Sequence, residues 1–152
     1  MQTSTIQNTF EQIYIQLVKF SEKIQVIQNL SYRITGKLQE PLPEQWTAFN
    51  HFFNLGTYYH YRCQGYAECL LVTNAYSSYS INIWINELVY PAAENFEHAM
   101  MYIEQIKSNA NIVQQQEFEM LKQQMKEFQQ IAMVIIQYAN QLNTTTPPFK
   151  MK

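Results

Sequence analysis

The sequence predicts an all-α protein, an up-down-up-down four-helix bundle with long helices, on three observations. At the N-terminal end Ile6, Phe10, Ile13, Leu17, Phe20, Ile24 and Ile27 follow one another by four and three residues, and Ile34 and Leu38 resume the series after Ser31. At the C-terminal end Phe118, Leu121, Met125, Phe128, Ala132, Ile135, Ala139 and Leu142 do the same without a break. Spacing of this kind draws one apolar seam along each helix. The third observation is that the breaks between periodic segments are short, which favours antiparallel neighbours. A longer assembly of two chains is the alternative the same seams allow.

The first helix is expected to begin near Ser4 or Thr5, whose hydroxyls suit an N-cap, and to reach about Lys37, with Gly36 placed for a C-terminal cap. The clearest break is Glu40-Pro41-Leu42-Pro43, because two prolines remove two backbone donors and hold the chain extended. The second helix should start at Pro43 or Glu44, since proline is tolerated in a first turn. It carries Trp46, Phe49, Phe53, Gly56, His60, Cys63, Ala67 and Leu70 at the same spacing. Each interior glycine, Gly56 and Gly65, costs about 1 kcal/mol relative to alanine. This segment is therefore either one helix or two hinged at Asn54–Thr57.

Tyr76-Ser77-Ser78-Tyr79-Ser80 reads as the next turn, with Ser80 as N-cap. The third helix follows through Ile81, Ile85, Leu88, Ala92, Phe96, Ala99, Ile103 and Ile106, with Pro91 expected to kink it or to begin a second segment. Ser108-Asn109-Ala110-Asn111 closes it, and the fourth helix runs from about Ile112 to Asn140 or Leu142. Residues 1–142 form one domain in this reading, and 143–152, with Pro147 and Pro148, form a tail expected to fray.

Hydrophobic residues make up 47% of the 152 and charged residues only 14%, against roughly 25% in an average soluble protein. The polar surface must therefore be made largely of amides, and the Gln runs near 114–130 serve as the solvated face of the last helix. Ten scattered basic residues and a formal net charge of -2 do not make the clustered cationic footprint that nucleic acid requires. The chain contains no Asp, which removes Asp-based calcium loops and Ser-His-Asp triads. No stretch reads as a secretory leader or a membrane span, so a cytoplasmic protein is expected. Cys63 and Cys69, six apart on one helix, would be separated by roughly 9 Å along its axis and so should remain free thiols.

Chemistry-bearing groupings are incomplete. His60 and Cys63, three apart on the apolar series, could together touch a cofactor or small molecule in a bundle core, but two ligands do not close a zinc site. Glu94 and His98 are four apart, whereas di-metal carboxylate bundles need Glu-x-x-His on two helices. No metal, cofactor or catalytic residue is implied. The middle of the chain differs from its ends. Between Phe49 and Tyr90 it holds Tyr58, Tyr59, Tyr61, Tyr66, Tyr76, Tyr79 and Trp84, with Arg62, Glu68 and Glu87 its only charges. Such enrichment in Tyr and Trp fits either a buried helix pair or a protein interface. The resulting expectation is a non-enzymatic module that binds another protein or a second copy of itself as a dimer. Tyr58, Tyr59, Tyr61, Arg62 and Trp84 would be its anchors, and a core ligand site at His60 and Cys63 is the alternative.

Overall fold

A computed structural model describes the backbone of residues 2–109 and 112–145 and the side-chain surroundings of 5–106 and 115–142. The expected tail beyond residue 145 and the expected turn at Ala110-Asn111 lie outside the described residues. The elements are α1 (Gln2–Lys37), α2 (Glu44–Thr73), α3 (Ser78–Trp84), a π-helical turn (Ile85–Val89), α4 (Tyr90–Asn109) and α5 (Ile112–Thr145). Helical dihedrals continue from α3 through Ile85 and Tyr90, so α3, the π turn and α4 make one interrupted rod, the third of four.

Hydrogen bonds and ring contacts fix the direction of each rod. Ser31 meets Asn50 while Ser21 meets His60, so α1 and α2 are antiparallel. Lys37 pairs with Glu117 while Lys23 pairs with Glu127, so α1 and α5 are antiparallel. Lys122 pairs with Glu104 and Asn140 accepts from Tyr90, which reverses α5 against α4. Phe52 stacks on Tyr102 and Trp84 bonds to Cys63, which reverses α2 against the third rod. Neighbours run α1–α2–α4–α5 and back to α1, and across the diagonals aromatic side chains meet in the core, Phe20 with Phe96 and Phe53 with Phe128. This is the up-down-up-down bundle.

Its core is made by the predicted seams. Every residue of the N-terminal series from Ile6 to Ile34 is buried, and so is the C-terminal series apart from the half-buried Ala132. Phe20, Phe96 and Phe128 meet at the centre, with Phe128 edge-on to Phe20 at 3.8 Å and to Phe96 at 4.2 Å between centroids. Ser31 interrupts the α1 seam because it has a partner. It is buried and donates to Asn50 Oδ1 at 2.8 Å, while Asn50 Nδ2 donates to the Trp46 carbonyl. A hydroxyl satisfied in this way is tolerated in a core.

Four local expectations are corrected. The first helix starts at Gln2, ahead of Ser4 and Thr5, and Gly36 keeps a negative φ inside the last turn rather than forming a left-handed cap. Of the two readings left open for the second helix, the single helix holds, and α2 passes through Gly56 unbroken for a packing reason given below. The cap of α3 is Ser77, whose Oγ accepts from the Ser80 amide at 3.0 Å, so Ser80 is the capped residue rather than the cap. The last helix extends through Asn143 to Thr145. The interruption expected at Pro91 does occur, but it takes the form of the π turn just before it. The Tyr90 amide reaches back five residues to the Ile85 carbonyl. A wider turn here absorbs the misfit of a proline that has no N–H and whose ring crowds the preceding turn.

Helix α2 ends on Asn74, at φ 56° and ψ 32°, the one non-glycine residue in the left-handed region among those described. Asparagine tolerates this region, whereas a β-branched residue does not. Replacing Asn74 by Val is expected to lower stability by about 1–2 kcal/mol, and Asn74→Gly to leave it equal or higher. Urea unfolding midpoints of the two variants check the order.

Candidate functional site

The helical period of α2 divides the predicted site residues between its two faces. His60 and Cys63 point inward and are buried, whereas Tyr58, Tyr61 and Arg62 point outward and are exposed, with Tyr59 half-buried between them. Trp84 does not join them. It is fully buried, its Nε1 donates to the Cys63 carbonyl at 3.0 Å, and its ring packs against Phe10. Trp84 is therefore a core residue that locks α3 onto α2, and its expected role as a partner anchor is withdrawn.

Inside, Ser21 Oγ lies 2.9 Å from His60 Nε2 and donates to Gln64 Oε1 at 2.6 Å, while the imidazole stacks on Phe20. Burial lowers the His60 pKa to about 4, opposed in part by a hydrogen bond to the Leu17 backbone. Burial also pushes the Cys63 thiol up, partly offset by Trp84. Both groups are neutral at pH 7. The space they border, between Leu17, Phe96 and Ile135, is about 20 Å³, room for one water and far below the size of an organic cofactor. Among the described residues no three of His, Cys, Asp and Glu gather to hold a metal. Glu94 and His98 are exposed, and His98 rests on Phe52.

Outside, Arg62 donates from Nη1 to the Tyr58 hydroxyl at 2.8 Å, and its guanidinium stands 5.6 Å from the centre of that ring. Tyr59 meets Tyr58 edge-on at 5.3 Å. Arg62 sits at the middle of a trough between α2 and the third rod. The trough has two compartments of about 580 and 310 Å³ that share Arg62, Asn86, Glu87 and Leu88. Tyr58 and Tyr59 line one compartment, and Tyr66 and Tyr79 line the other. No family model, curated protein or solved structure matches the chain.

The far wall of the trough was missed from the sequence. Asn86 and Glu87 reach it from within the π turn, whose wider winding departs from the regular α period, and Asn82 reaches it from α3 just before that turn. Pro91 was the available signal, since the chain just before an interior proline must deviate from α geometry. Gln64 and Ser21, the partners of His60, carried no signal, because amides and serines are common on helix surfaces throughout this chain. Among the described residues neither Arg62 nor Glu87 takes part in an ion pair, so both walls of the trough keep a charge available. No helix of the described residues is long and apolar enough to cross a membrane.

Proposed function

We propose that this chain is a protein-binding module whose docking surface is the outward face of α2 together with the adjoining trough. The observation that carries this reading is Arg62, held in the middle of the trough by the Tyr58 hydroxyl and ring and, among the described residues, without an ion-pair partner. Tyrosine and arginine are the usual anchors of protein interfaces, because they bury large area and still form directed polar bonds. Tyr58, Tyr59, Tyr61 and Arg62 form one contiguous patch, and Asn86 and Glu87 offer hydrogen-bonding groups across from it.

The test compares affinity capture by wild type with capture by a Tyr58→Ala/Arg62→Ala double variant and a Lys126→Ala control on α5. Both Tyr58 and Arg62 are exposed, so helicity and melting should change little. A protein bound by wild type and control but lost by the double variant supports the reading. Equal capture by all three excludes this surface as the docking site.

A further inference from the structure

Alanines on the seams of this bundle are ordinarily covered. Ala67, Ala99 and Ala139 are fully buried, so a small side chain does not by itself leave a seam open. Ala132 differs, because it is the one member of the α5 seam that stays half-buried. Beside it a pocket of about 110 Å³ lies between α4 and α5, with Ala93 of α4 also on its wall. Two cross-links tie the helices together on either side of this opening, Lys122 to Glu104 at 3.2 Å and Tyr90 to Asn140 at 3.1 Å. The gap is therefore held open between two fixed points.

The pocket backs onto the core space beside His60 and Cys63. Ala93, Phe96, Ala132 and Ile136 line both, so these four side chains form the partition between them, and two of the four are only methyl groups deep. The buried polar atoms left without a partner among the described residues, on Thr57 and Tyr76, lie on neither wall. An apolar cavity of this kind stays dry and takes an apolar guest, and one of about 150 Å³ holds benzene. Phe96 and Phe128, edge-on to each other at 4.2 Å, present their rings to the pocket. Aromatic guests pair with such rings in offset or edge-on geometry. At the mouth stand Met100 and Met133, the latter 65% exposed. Thioether side chains adapt their shape to a guest and make favourable sulfur–ring contacts, so a rotamer change of Met133 supplies the remaining room. Glu97 and Gln129, both exposed, complete the rim.

We propose that the pocket between α4 and α5 binds a small single-ring aromatic molecule, its ring inward against Phe96 and Phe128 and any polar substituent outward at Glu97 and Gln129. The volume admits one ring and excludes fused-ring cofactors. The site is separate from the trough between α2 and the third rod, so it stands or falls independently of the docking surface.

Titration with benzene, followed by the methyl NMR signals of the full chain, tests the site. Saturable shifts are expected at Ala93, Ala132, Ile136 and Met133, with the methyls of Ile6 and Ile34 at the far ends of α1 unmoved. Ala132→Leu and, separately, Ala93→Leu fill the pocket from its two walls, and both positions are half-buried, so each variant should keep its helix content by circular dichroism. Each should weaken benzene binding by more than about tenfold, because the added side chain takes the space of the ring. Cyclohexane should bind more weakly than benzene, since it lacks the ring face and edge that Phe96, Phe128 and the methionine sulfurs favour. Absence of saturable shifts at these methyls up to the solubility limit of benzene overturns the proposal. So does undiminished binding by both folded leucine variants, and cyclohexane binding as tight as that of benzene overturns the aromatic assignment.

Discussion

Gly56→Ala should unfold this protein more easily by about 2 kcal/mol, whereas Gly65→Ala in the same helix should make the isolated chain harder to unfold by up to about 1 kcal/mol. The two substitutions are identical on a propensity scale, so their opposite signs isolate packing. At Gly56 a new Cβ would come within 2.5 Å of Phe96 Cδ1 and Cε1, closer than real Cβ contacts approach. Phe96 cannot step aside cheaply, because its ring is held by Phe20, Phe53 and Phe128 with centroids at 5.3, 5.8 and 4.2 Å. The methyl must push α2 away from α4 or force a ring out of its rotamer, and either cost exceeds the propensity gain. At Gly65 nothing opposes the methyl, so the reduced entropy of the unfolded chain is expressed in full. Urea unfolding at low micromolar concentration, where association contributes least, should place the two midpoints on opposite sides of wild type. Two shifts of the same sign would mean that helix propensity governs α2 and that the Gly56–Phe96 approach has been overvalued.

The same two glycines show why some of the fold was legible in the sequence and some was not. Residues such as Phe10, Ile13 and Leu17 announce their burial by spacing alone, because a 3.6-residue period aligns them whatever they touch. Gly56 occupies a seam position too, but its meaning depends on Phe96, forty residues away, and local propensity could only mark it as a weak point. Trp84 failed for a related reason. Its residue type is common at interfaces and in cores alike, and only the bond to the Cys63 carbonyl decides between them. The outward patch of Tyr58, Tyr61 and Arg62 was legible because these residues crowd more angular positions than one inward seam can hold. Its facing wall was not, because the π turn re-aims Asn86 and Glu87 by an amount no regular period encodes.

Acid should destabilise the bundle through His60, by about 3 kcal/mol between pH 6.5 and pH 4. The imidazole is 2% exposed and lies against Phe20, so desolvation holds its folded pKa at about 4, below the ordinary 6.5. Between those two values the unfolded chain binds the proton and the folded chain does not. Stability therefore rises with pH across the window; it is fully present above pH 6.5 and is lost as pH falls toward 4. Cys63 acts with the opposite sign at the other end of the scale. Its folded pKa is raised above 9.0 by the same burial, so stability falls as pH climbs past that value and the unfolded thiol ionises. Urea midpoints at pH 7.5, 6.5, 5.5 and 4.5 for wild type and His60→Gln check the acid limb. The variant is expected to be weaker at neutral pH, because Phe20 loses its stacked ring, and to show a flatter slope below pH 6.5. Parallel curves for the two proteins would show that His60 is protonated in the fold as readily as in the unfolded chain. The contact with Ser21 and the hydrogen bond to the Leu17 backbone would then be holding a charged imidazole in the core.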